Sequence, residues 1–241
     1  MVEARPSLST IAHVSARAPL LALGVFIGTM SALPAGPPQL SCLPNVEIGG
    51  ISYLSIWSTA SHAGTVPPFA LGPVHAKAPR QARGCVFAGC AVDDDTPLYS
   101  VDGYAPSFRL AATMQGRGLT LFQVYRNEHA RSGADFFDVA GKVDAIEVSE
   151  PAPDFTTRAH TAVVTDRPTI DRVVDMIRAA PLASPFVMAS EREYYVSFQL
   201  RDGTSATFNY SRTRKLVHTP GPLAPSVELD AILTAVMTAG R

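Results

Sequence analysis

The chain has 241 residues, with 20 basic and 21 acidic side chains, a net charge of −1, and 46% hydrophobic against 17% charged residues. Charge this balanced, with both signs interspersed, argues against nucleic acid as a partner. The apolar content supports an ordinary core; about 200 residues remain once a leader is discounted, enough for one domain or two small ones.

Residues 18–35, APLLALGVFIGTMSALPA, form an almost uncharged apolar run between Arg17 and a Gly-Pro-Pro. Leu20, Leu21, Leu23, Val25, Phe26, Ile27 and Met30 surround a helix instead of lining one stripe of it. Residues 1–35 are therefore read as a signal peptide or membrane anchor, a hydrophobic leader helix that holds the chain at a membrane. Its apolar core of about 16 residues lies at the lower edge of what crosses a bilayer. Neither Ala32 nor Ala35 completes a clean small-x-small cleavage site. Cys42 in QLSC loosely matches a lipidation site, with Gln39 where that motif wants Leu and Leu40 one place late. Cleaved, lipidated and retained forms all stay open, and the competing reading is a buried helix of a cytosolic protein.

Residues 36–45 read as a Pro-rich linker. Residues 46–135 are expected to form a β-rich subdomain, starting with a strand pair or bent strand in VEIGGISYLSIW around Gly49-Gly50. Residues 58–97, rich in Pro, Gly, Ala and Ser, read as one long loop. Within it, Cys85 and Cys90 are disulfide candidates for an oxidising compartment, flanked by Gly84 and Gly89. Free thiols are the competing reading, since Cys is also an ordinary small buried hydrophobe. Zinc held by His62, His75, Cys85 and Cys90 fits no compact spacing. Asp93, Asp94 and Asp95, near Asp102, are the densest acidic cluster and a candidate calcium or magnesium site, although the alternating loop pattern is absent. A solvated loop after the Cys pair is the reading favoured over a metal site.

From Leu98 the strand signals sharpen: LYSVDGYAPSFRLAAT, the turn MQGRG, and Leu119 to Tyr125, apolar on both faces as in a central strand. KVDAIEV and HTAVVT supply further strands. Residues 136–241 are expected to form an α+β subdomain in the order strand, helix, hairpin, helix. Asp166 caps the first helix, with Pro168 in its first turn and Ile170, Val173, Val174 and Ile177 at helical spacing. Asp202-Gly203 between YYVSFQL and TSATFNY is a strong hairpin signal. A last helix begins near Ser226. The fold class is α+β: a β-rich body with an antiparallel sheet, and two helices of the C-terminal half packed on it.

No Gly-x-Ser-x-Gly elbow, phosphate loop, dinucleotide fingerprint or His-Glu-x-x-His occurs, and no cofactor is implied. Eight aromatics, Tyr104, Phe108, Phe122, Tyr125, Phe136, Phe137, Tyr194 and Tyr195, read as core packing in preference to a ligand groove. LYSVDGYAPSFRLAA and YYVSFQLRDGTSATFNY resemble segments of uncharacterised exported proteins or lipoproteins of Gram-positive-type bacteria. The resemblance spans about residues 95–210. It implies an extracytoplasmic address and a β-rich domain behind a membrane-proximal leader, and it transfers no catalytic residue. The expectation is an envelope-associated, non-enzymatic module that binds a protein or small-molecule ligand. The alternative is an envelope hydrolase using Asp93 to Asp95, Asp102 or the scattered histidines.

Overall fold

Two glycines start the first sheet. Gly49 and Gly50 take φ of 54° and 77°, the left-handed region in which a two-residue hairpin turn matches strand twist. They join β1 (Asn45–Ile48) to β2 (Ile51–Ser58). The computed structural model describes residues 45–58, 61–62, 65–79, 92–151, 158–183, 194–219 and 221–239. β3 (Leu71–Lys77), β4 (Pro97–Val101), β5 (Arg109–Met114) and β6 (Gly118–Asn127) complete a sheet ordered β1-β2-β6-β5-β4-β3, antiparallel throughout.

A second antiparallel sheet follows, ordered β11-β10-β9-β7-β8. Its strands are β7 (Val143–Pro151), β8 (Arg158–Val164), β9 (Tyr194–Leu200), β10 (Ser205–Ser211) and β11 (Leu216–Thr219). The described residues are thus α+β, with two antiparallel sheets and two α-helices. The β9–β10 hairpin has the register its alternation implies, with Phe198 opposite Ala206, Val196 opposite Phe208 and Tyr194 opposite Tyr210.

Both α-helices among the described residues lie in the C-terminal half. In α1 (Arg167–Ala179) the Asp166 carboxylate accepts from the Thr169 amide at 3.1 Å and its hydroxyl at 2.7 Å. These bonds satisfy an amide the first turn leaves without a helical partner. Ile170, Val173, Val174 and Ile177 are buried. α2 (Val227–Ala239) buries Leu229, Leu233 and Met237. α1 lies against β7, and α2 against β7 and β8.

All strands and helices from Asn45 onward belong to one compact unit. One core runs through both sheets, from Tyr53, Leu110 and Phe122 to Ile146, Phe198 and Phe208 and on to both helices. Phe137, Phe198 and Phe208 form an edge-to-face triangle with centroids 5.4–6.0 Å apart. A smaller cluster of Phe69, Val101, Ala111 and Leu121 covers the other face of the first sheet. β6 is therefore buried on both sides, as expected of a central strand with apolar residues on both faces.

The stretch read as a loop over 58–97 contains β3. Pro73 argued against a strand there, yet β3 is the edge of its sheet, where a missing N–H breaks no ladder bond. The leader, Cys42, Cys85 and Cys90 lie outside the described residues. No helix among the described residues is long and apolar enough to cross a membrane.

Candidate functional site

Arg109, on β5, has a side chain that is 0% exposed. Its Nη1 donates to Thr204 Oγ1 at 2.5 Å, and its Nη2 to Gln123 Oε1 at 3.1 Å and to the Ser205 carbonyl at 2.9 Å. The Asp202 carboxylate stands 3.5 Å from Nη1 and is itself engaged by the Thr204 amide and hydroxyl at 2.9 and 2.6 Å. The guanidinium also lies over two rings, with its carbon 4.7 Å from the Tyr104 centroid and 4.9 Å from that of Phe108. Gln123 comes from β6, Asp202 to Ser205 from the β9–β10 hairpin. One side chain thus ties the first sheet to the second.

Burial lowers the Arg109 pKa, while Tyr104, Asp202 and Asp138 push it back up. The Tyr104 phenol is raised well above its ordinary range, mainly by burial, with Arg109 opposing and Asp202 adding to the rise. Lys142 Nζ also lies 4.6 Å from the Tyr104 ring centroid and pairs with Asp138 at 2.8 Å. Asp138 also accepts from the Ala105 amide at 2.7 Å. An arginine stays protonated in proteins. This cluster therefore anchors the hairpin with a fixed cation, whose Nη donors are directed at protein acceptors while Nε has no hydrogen-bond partner among the described residues.

Asp93, Asp94 and Asp95 stand exposed in the turn before β4, where the Thr96 amide bonds the Asp93 carbonyl and the Asp95 amide that of Ala78. Asp102 is exposed after β4. Among the described residues no group of three or more His, Cys, Asp or Glu is placed to hold a metal ion. Among the described residues the histidines stand apart: His62 stacks on Trp57 with centroids 5.1 Å apart, His75 sits in β3, His129 Nε2 lies 3.1 Å from the Gly49 carbonyl, His160 sits in β8 and His218 in β11. Phe108, Phe122, Phe136, Phe137 and Tyr194 are buried in the core, Tyr104 and Tyr195 are half-buried, and Tyr125 is exposed.

The second sheet has two chemically opposite faces. Tyr194, Val196, Phe198 and Leu200 of β9 belong to the core. The alternate residues Tyr195, Ser197 and Gln199 lie opposite Asn209, Thr207 and Ser205 of β10 and next to Ser149, Glu147 and Ala145 of β7. Ser197 and Thr207 hydroxyls are 3.0 Å apart, and Gln199 Nε2 donates to Glu147 and Ser197 at 3.4 Å each. Arg158 pairs with Glu147, and Ser149 lies between their anchoring positions, buried and with its hydroxyl unpartnered among the described residues. The result is a lattice of hydroxyl, amide and carboxylate groups on the side away from the core. Period-two alternation announced this face, but not that its rows would align across three strands.

A groove of about 380 Å³ between the helices is lined by Thr169, Arg172, Ile232, Ala235, Val236 and Ala239, with Arg172 paired to Glu228. No family model matches the chain, and neither a curated protein nor a solved structure does.

Proposed function

We propose that this chain is an exported, envelope-associated protein whose β-rich body is a non-enzymatic binding module. The observation that carries the binding role is the polar lattice of the second sheet. Tyr195, Gln199 and Asn209 are half-buried there, and Thr207 is exposed. Such a face offers donors and acceptors on a rigid, cross-paired platform, suited to a polar ligand or the polar surface of a partner protein. The address rests on the apolar run 18–35 and the Gly-Pro-Pro that follows it.

Two experiments test the reading. Fractionation with intact-mass measurement addresses location: a mature start at Cys42 with acyl mass, or residues 18–35 retained in the membrane fraction, supports an envelope anchor. A full-length chain in the cytosolic fraction with every thiol free overturns it. For binding, a photo-crosslinking residue at Thr207 is expected to capture an envelope component that the same probe at exposed Arg126 does not. Equal capture at both positions removes the assigned face. Turnover of an envelope substrate, lost on changing one acid or histidine, replaces the binding module with an enzyme.

A further inference from the structure

The two sheets have four edge strands, and three of them are guarded. β1 has four residues, too few to template a long partner. β3 carries Pro73 and Lys77 and is interrupted by two register shifts. β11 has four residues, and Val217 exchanges both backbone bonds with Leu223 at 3.0 Å, so its outer side is already paired. Proline, lysine, irregular register and local cover are the devices that keep sheet edges from pairing with other chains.

β8 has neither proline nor lysine nor, among the described residues, any cover, and its register is regular from His160 to Val164. It runs for seven residues, RAHTAVV, and its only register shift is at its start, between Glu150 and Pro151 of β7. Among the described residues nothing pairs with its outer edge. Val163 is 59% exposed, and Ala159 and Thr161 are exposed too.

We propose that β8 is a homodimer interface, pairing antiparallel with β8 of a second copy about a two-fold axis at Thr161. The strand is complementary to itself in that register. Thr161 lies opposite Thr161, and Ala159 opposite Val163, so the exposed apolar residues meet and β-branched side chains become cross-strand neighbours. His160 falls opposite Ala162, and Arg158 opposite Val164. The two Arg158 side chains end up about 20 Å apart along the strands, well beyond the roughly 8 Å screening length at physiological salt. Charge also favours this direction. Each Arg158 is already paired with Glu147 of its own chain, and antiparallel pairing keeps the two ion pairs at opposite ends of the joined strands. A parallel arrangement would set Arg158 beside Arg158.

The test uses the full chain purified in detergent. Sedimentation is expected to give a protein mass twice that of one chain. Thr161→Cys is expected to form a covalent dimer under mild oxidation that neither the parent chain nor Val163→Cys forms. The two Thr161 Cβ atoms lie about 5 Å apart in this register, whereas the Val163 positions stand four residues out of step. Val163→Lys places a cation on the open edge beside Glu147 and is expected to give a monomer with an unchanged circular dichroism spectrum. Three outcomes overturn the proposal: a monomeric parent chain at tens of micromolar, a dimer that survives Val163→Lys, or a probe at Thr161 that captures only a different protein.

Discussion

Arg109 sits where a charge is costly, and its neighbours explain how it is tolerated. It receives three acceptors at hydrogen-bond distance, a carboxylate at 3.5 Å and two aromatic faces. Breaking a buried ion pair by removing one partner costs about 3–5 kcal/mol, because the other is left uncompensated. Arg109→Ala is therefore expected to lower stability by that order in urea unfolding. Arg109→Lys is expected to recover only a minor part, since a point charge cannot reproduce the fork that reaches Thr204, Gln123 and Ser205 together. Full recovery by lysine would mean that charge alone matters at this junction. Tyr53 gives a pH signature. Its hydroxyl donates to the Pro106 carbonyl at 3.0 Å, and burial pushes its pKa from 10.0 up to about 12. Between those values the unfolded chain loses a proton that the folded chain keeps, so stability present below pH 10 falls as pH rises toward 12, by roughly 1 kcal/mol per pH unit. In Tyr53→Phe that part of the slope is expected to vanish, which urea midpoints measured between pH 9 and 11.5 would reveal.

At the scale of elements, close approach matters as much as pattern. Gly133 opens a short 3-10 turn, Gly133–Asp135, and its amide donates to the Ala180 carbonyl at 2.9 Å. A Cβ there would lie 1.8 Å from the Ile177 carbonyl oxygen and 2.9 Å from its carbon, both backbone atoms of α1. The glycine provides room, and Gly133→Ala is expected to cost about 1–3 kcal/mol by forcing the turn off the helix. A thermal shift within error of the parent chain would show that the turn moves without resistance. Such contacts explain what the sequence disclosed and what it hid. The β9–β10 hairpin, the Asp166 cap and α2 were legible because their signals are local. β3 was hidden because prolines mark loops and edge strands alike. β11 was hidden because four residues, LVHT, are too few for a period, and the turn into them is made by Lys215 at φ 57° instead of a glycine. Arg109 reads from SFRLAA as a polar, outward position of an alternating strand. Its burial is imposed by a hairpin 93 to 96 residues further along the chain. The polar lattice was half legible: alternation gives the face, while alignment of the rows needs the strand order.

At the scale of the molecule, the question is whether two sheets mean two folding units. The first sheet is drawn from residues 45–127 and the second from 143–219, so the chain order alone favours two. Three observations favour one. A single hydrophobic core includes both sheets and both helices. Arg109 fastens the β9–β10 hairpin to β5 and β6. The amide of Ala105, in the β4–β5 loop of the first sheet, donates at 2.7 Å to Asp138, in the segment that joins the two sheets. Separating the sheets would uncover the faces that meet in the shared core, leaving the first sheet only the small cluster of Phe69, Val101, Ala111 and Leu121. Thermal unfolding of the described body is therefore expected to follow one transition, with near-equal calorimetric and van't Hoff enthalpies after allowance for any dimer dissociation. Arg109→Ala should lower the midpoint without dividing the transition, because the shared core remains. Two resolved transitions in the parent chain, or hydrogen exchange that leaves one sheet protected while the other opens, would show instead that each sheet carries its own stability. The Arg109 junction would then be a contact between domains, and its loss would separate them without unfolding either.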